Sequence, residues 1–117
     1  MQNRRTRARV PVISIARLTP QGVQSKQYVL VRDISTEGLG IYSQEKYQKG
    51  DLVLIELTLT HENEKINESI PGEVVWTQPL PDKVHYAVGI RIDSMELEKP
   101  KLYEQIKLIE ESNKRDS

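Results

Sequence analysis

Six short runs of alternating apolar residues, followed by one amphipathic run, predict an all-β fold with one helix: a six-stranded antiparallel β-barrel capped by a C-terminal α-helix. Three observations carry this expectation. Apolar and polar residues alternate at period two through most of the chain. Turn signals rich in Gly, Pro and Asp separate the runs. After Pro100 the apolar spacing lengthens to that of a helix.

The chain divides into a mobile basic N-terminal arm over residues 1–9, a domain over 10–112, and a polar tail over 113–117. The arm is arginine-rich and lacks apolar periodicity. Val10 to Leu18 is the first strand, with Ile13 and Ile15 on one face and Val12, Ser14 and Ala16 on the other. Thr19-Pro20-Gln21-Gly22 then turns the chain. Tyr28 to Ile34 and Leu39 to Tyr42 are the second and third strands. Lys49-Gly50-Asp51 is another turn. In the fourth strand Val53, Ile55, Leu57 and Leu59 share a face, alternating with Leu54, Glu56, Thr58 and Thr60. A polar loop is expected from His61 to Asn67.

The fifth strand runs from about Ser69 to Thr77, with Ile70, Gly72, Val74 and Trp76 on one face, which makes Trp76 a core residue. Pro71 within it marks an edge position or a bulge. In the sixth, Val84, Tyr86, Val88, Ile90 and Ile92 share a face, and Arg91 on the opposite face is expected as a solvated side chain, with a place at the border of a ligand as the alternative. Leu102, Tyr103, Ile106 and Ile109 form the apolar stripe of a helix over about 100–112. Pro100 fits its first turn.

Composition narrows the classes. Phe is absent and hydrophobic residues make up 37%, so the core must be Val, Ile and Leu with Tyr and one Trp. Without Cys there is neither a disulfide framework nor a thiolate metal site. No apolar run approaches the roughly 20 residues that span a bilayer, so no membrane insertion is expected. The basic N-terminus has no apolar core of a signal peptide. A cytoplasmic location follows as the expectation.

Net charge is zero, from 17 basic and 17 acidic residues, but the two signs are segregated. Up to Arg32 the chain carries seven bases and no acid, so the remainder, with all 17 acids, has a net charge of −7. A basic arm on an acidic body suits an anionic ligand held at the arm. It suits nucleic acid poorly, because the body repels a phosphate backbone.

The chemistry concentrates in two places. Arg5 and Arg9 lie four apart ahead of the first strand. Guanidinium groups bind phosphate bidentately, stack on flat π-faces and read the O6/N7 edge of guanine. In the turn Asp33-Ile34-Ser35-Thr36-Glu37-Gly38, the carboxylate of Asp33 can accept from the N1 and N2 hydrogens of guanine. Ser35 adds a hydroxyl. Gly38 permits either a turn or close approach of a ligand to the backbone.

Together these motifs resemble the PilZ domain family, whose signature is R-x-x-x-R followed by D/N-x-S-x-x-G. Both are intact here, as Arg5-Thr-Arg-Ala-Arg9 and Asp33-Ile-Ser-Thr-Glu-Gly38. Gly72-Glu-Val-Val-Trp76 and Tyr86-Ala-Val-Gly89-Ile90 look like the family's later strands. The resemblance implies a six-stranded barrel with a C-terminal helix, and cyclic di-GMP, a bacterial second messenger, as ligand. Carried over by position, it implies Arg5, Arg9, Asp33, Ser35 and Gly38 as the ligand site, with Arg4 and Gly40 as candidate additions. It implies a stand-alone receptor that passes its signal to a downstream protein, in processes such as motility or biofilm formation. No cofactor and no metal are expected.

An enzyme is not expected. Asp33, Ser35 and either His61 or His85 could make a hydrolytic triad only if a histidine reached Ser35, and there is no G-x-S-x-G elbow. The alternative to a cyclic di-GMP receptor is a small β-barrel module for protein or RNA interaction.

Overall fold

The computed structural model describes residues 10–22, 26–61, 63–93 and 95–116, excepting the side chains of 10–13, 61, 64 and 112–116. The strands are β1 (Val10–Pro20), β2 (Gln27–Ser35), β3 (Gly38–Ser43), β4 (Leu52–His61), β5 (Glu64–Pro79) and β6 (Tyr86–Arg91). Two helices follow, α1 (Met95–Glu98) and α2 (Pro100–Asp116). All strand pairs are antiparallel and close into a barrel in the order β1-β2-β3-β6-β5-β4.

Branched aliphatic residues fill the interior, as a Phe-free chain requires. They are stiff at χ1 and pack well on a pleated surface. Val53, Ile55, Leu57 and Leu59 of β4 are buried, while Leu52, Leu54 and Thr60 between and beside them are exposed. Ile70 and Val74 of β5 and Val88 and Ile90 of β6 complete the facing wall. Helix α2 begins at Pro100, whose missing N–H is no loss in a first turn. Its stripe of Leu102, Tyr103, Ile106 and Ile109 belongs to the same core cluster as the barrel residues. Lys99 ties the helical segment to β5 through Glu68 at 3.3 Å.

Several expectations are corrected. The stretch His61–Asn67 is not a polar loop. β4 and β5 pair from Leu52↔Glu73 out to His61↔Glu64, so the connection is a tight turn in which Asn63 takes φ 70°. A polar tip is compatible with strand pairing when both faces meet solvent. The sixth strand begins at Tyr86, and Val84 is exposed in the preceding turn. In β1 the expected alternation holds, the face of Ala16 and Leu18 being buried and Ile15 lying outside. Met95, from a short helix that the sequence did not announce, joins the core. The helix α2 extends through most of the polar tail to Asp116.

Pro71 sits opposite Leu54 of β4. Val74 directs its N–H toward that flank, to the carbonyl of Asp51 at 2.8 Å. Alternation therefore turns the nitrogen of Pro71 to the other flank, where pairing with β6 starts only at Glu73. The ring costs no ladder bond.

Candidate functional site

Two β-bulges shape one outer patch of the barrel. In the β2–β3 pair, Val31 faces Ile41 and the next match is Asp33 with Gly40, so Arg32 is an extra residue. The bulge brings Arg32 and Asp33 onto the outer face together and returns Ile34 to the core, where it is fully buried. In the β5–β6 pair, Val74 faces Ile90 and the next match is Trp76 with Gly89, with Val75 extra. This bulge moves Trp76 out of the interior row that strict alternation assigns to it. Trp76 is 37% exposed, so its expected place in the core is corrected.

Between the bulges lies a glycine pair. Gly40 of β3 and Gly89 of β6 are cross-strand partners. A Cβ on Gly89 would fall 2.2–2.8 Å from three atoms of the Trp76 indole, so the ring lies directly on that backbone. A Cβ on Gly40 would fall 2.4 Å from a guanidinium nitrogen of Arg32 and 3.0 Å from Oδ1 of Asp33. Arg32 therefore rests on Gly40 as Trp76 rests on Gly89. The two side chains meet, with Arg32 Cζ 5.6 Å from the centroid of Trp76 and 5.5 Å from that of Tyr42. Both distances lie within the range of cation–π attraction. Nε of Arg32 donates to Oδ2 of Asp33 at 2.7 Å, and both side chains are partly buried.

The turn after β2 is held from within. The Ser35 hydroxyl donates to the Gly38 carbonyl at 3.4 Å and accepts the Glu37 N–H at 3.1 Å, and the residue is buried. Thr36 is buried too. The N–H of Ile92 donates to Glu37 O at 2.9 Å and fastens the turn to the end of β6. Gly38 is required by β6: a Cβ there would lie 2.1 Å from the carbonyl oxygen of Ile90. The bare backbone of Gly38 is thus filled by the neighbouring strand rather than left open to a ligand.

Of the residues expected in the site, Asp33, Ser35, Gly38 and Gly40 come together at this end of β2 and β3. Arg4, Arg5 and Arg9 lie outside the described residues. Arg91 is exposed and pairs with Glu73 at 2.8 Å and Asp93 at 3.4 Å. His85 is far from Ser35: it precedes Tyr86, which pairs with Ser43, whereas Gly38 pairs with Arg91 at the other end of β6. His85 instead contacts Asp82 at 2.6 Å. Among the described residues no group of His, Cys, Asp or Glu is placed to hold a metal, and no helix is long and apolar enough to cross a membrane. Sequence alone gives Arg32 and Tyr42 no part in the site and Gly89 only a place in a strand motif. A glycine inside an apolar strand does signal that something lies against the backbone, and Gly89 was the available clue to Trp76.

The family model for the PilZ domain matches residues 3–107. The chain belongs to the PilZ domain family. Solved structures agree on the PilZ fold. The Bacillus subtilis inhibitor of motility, MotI/DgrA, superposes with a TM-score of 0.77 at 16% identity, over 97% of this chain and 54% of its own. This chain thus spans about half the length of MotI/DgrA. The PilZ domain of YcgR from Escherichia coli, solved with c-di-GMP, superposes with a TM-score of 0.67 at 15% identity, over 97% of this chain and 94% of its own. The PilZ domain of CeSA from a cellulose-synthesizing bacterium gives 0.53 at 14% identity, over 76% and 85%. A search of the curated proteins found no match.

Proposed function

We propose that this PilZ domain is a cyclic di-GMP receptor that passes its signal to a downstream protein through its N-terminal arm. One observation supports the reading above others. In the β1–β2 register Pro11 pairs with Asp33 and Val10 with Ile34. Strand β1 therefore begins beside the carboxylate suited to a guanine edge. An extended chain advances at most about 3.3–3.6 Å per residue, so two residues of chain ahead of Pro11 can reach roughly 7 Å and six roughly 20–22 Å.

The division of labour follows from the chemistry. Asp33 accepts from the N1 and N2 hydrogens of one guanine. Arg5 and Arg9 hold phosphates and the O6/N7 edge. Trp76 offers a π-face on which a base can stack. Ser35 and Gly38 act by holding the turn in shape. Arg4 remains a candidate for a second nucleotide. Ordering the arm costs about 1–2 kcal/mol of backbone entropy per residue, so charge-assisted contacts must exceed that cost. An arm ordered over the Asp33 turn presents a different surface to a partner.

A second reading, sequence-tolerant binding of single-stranded RNA, is favoured by the exposure of Tyr28 at 73% and Trp76 at 37%. Asp33 and the acidic body oppose it. Isothermal calorimetry against cyclic di-GMP, with GTP and single-stranded RNA alongside, separates the two. Saturable binding of cyclic di-GMP alone is expected, weakened about 10- to 150-fold by Asp33→Ala, the equivalent of about 1.5–3 kcal/mol for a hydrogen bond to a charged group. Binding of RNA but not of cyclic di-GMP would overturn the reading.

A further inference from the structure

We propose that Arg32 is a built-in stand-in for the ligand: its guanidinium occupies the binding face of the free protein, must be displaced when guanine binds, and so sets the affinity. This rests on the receptor reading above and adds a residue outside both signature motifs.

The argument begins with what holds Arg32. Its Nε donates to Asp33 Oδ2 at 2.7 Å. Its guanidinium carbon lies 5.6 Å from the Trp76 ring centre and 5.5 Å from that of Tyr42. The hollow above Gly40, where a Cβ would come within 2.4 Å of its nitrogen, is its seat. Asp33 and Trp76 are also the two groups suited to a guanine base. One carboxylate oxygen and one indole face cannot serve two planar partners in the same place.

The chemistry of the rivals is matched. The N1–C2–N2 edge of guanine is itself a guanidine fragment, a planar array of N–H donors. Arg32 offers Asp33 the same array, on the same kind of flat surface that stacks on an aromatic ring. The β2 bulge is what makes this possible. Without the extra residue, Arg32 and Asp33 would face opposite sides of the strand. Release of Arg32 also uncovers Tyr42, which lines a groove with Tyr28, Leu30, Leu80 and His85. Ligand exchange at Asp33 thereby reaches a second, more apolar part of the surface.

The test is the affinity of Arg32→Met and Arg32→Lys for cyclic di-GMP by calorimetry, with acrylamide quenching of Trp76, the only tryptophan. Met keeps an unbranched stem but loses the fork and the charge. Removing a positive charge near an anionic ligand should by itself weaken binding, so tighter binding is a demanding result. Losing the partly buried ion pair to Asp33 and the cation–π contacts with Trp76 and Tyr42 from the free state corresponds to tightening of about 8- to 150-fold. Arg32→Lys, which lacks the planar fork, should tighten binding as well. In both variants Trp76 should be quenched more readily without ligand. Binding by the variants but not by the wild type would also support the proposal. Wild-type binding with equal or weaker binding by both variants would overturn it and leave the receptor reading standing. Binding by none of the three would overturn the receptor reading and the stand-in with it.

Discussion

Replacing Gly38 by alanine should cost this domain a large part of its stability, although it adds one methyl group. The new Cβ would lie 2.1 Å from the carbonyl oxygen of Ile90, 3.1 Å from its carbonyl carbon and 3.2 Å from the Cα of Arg91. All three are backbone atoms, so no rotamer change can relieve the contact. β3 and β6 must separate by about 1.3 Å or more to restore an ordinary van der Waals distance. Overpacking of this kind costs about 1–3 kcal/mol. The neighbouring bond from Ile92 N–H to Glu37 O, which fastens the turn, adds about 1 kcal/mol if it is lost. A total of about 2–4 kcal/mol follows, against the roughly 5–15 kcal/mol that holds a typical domain together. At about 4 °C per kcal/mol for a chain of this size, Tm should fall by roughly 8–16 °C. Urea unfolding and calorimetry read both quantities. Gly40→Ala, two residues away, is the control. The nearest atoms to its Cβ are side-chain ends of Arg32 and Asp33, which can swing aside where backbone cannot, so Tm should fall by clearly less than in Gly38→Ala while Trp76 fluorescence changes. A Gly38→Ala protein within about 0.5 kcal/mol of the wild type, the ordinary range for a surface change, would refute the assignment of this glycine to the strand contact.

Two further expectations concern the rest of the fold. Ile106, fully buried where α2 meets the barrel, should cost about 2–5 kcal/mol on mutation to alanine, measured by urea unfolding. A loss under 1 kcal/mol would mean that the helix is not part of the core. Asp82 accepts the N–H groups of His85 and Val84, both at 2.9 Å, and contacts the His85 ring. These bonds lower its pKa from 3.8 to about 2. A carboxyl with a depressed folded pKa contributes stability above its unfolded pKa and loses it as pH falls through the folded one. The turn should therefore weaken between about pH 4 and 2, with an NMR midpoint for the Asp82 carboxyl carbon near 2. A midpoint near 3.8 would contradict the turn geometry.

The sequence by itself determined the barrel wall, the helix and the motif-bearing turn. The alternation of Val53, Ile55, Leu57 and Leu59 could bury only one face of a strand, and the spacing of Leu102, Tyr103, Ile106 and Ile109 suited only a helix. Asp33, Ser35 and Gly38 were legible as a candidate site only together with the arginine pair Arg5 and Arg9, because carboxylate, hydroxyl and glycine also make an ordinary hairpin turn. The tertiary structure decided which face each side chain of the site occupies. Strict period two places Trp76 beside Val74 in the core and parts Arg32 from Asp33. One extra residue in β5 and one in β2 reverse both assignments, and a bulge is a property of the pairing between strands, invisible in either strand alone. It also decided what the glycines are for: Gly38 admits the Ile90 carbonyl, Gly40 seats Arg32, and Gly89 carries the indole. Ile90 lies 52 residues from Gly38, Trp76 13 from Gly89 and Arg32 8 from Gly40, and it is the register of the paired strands that brings each into contact.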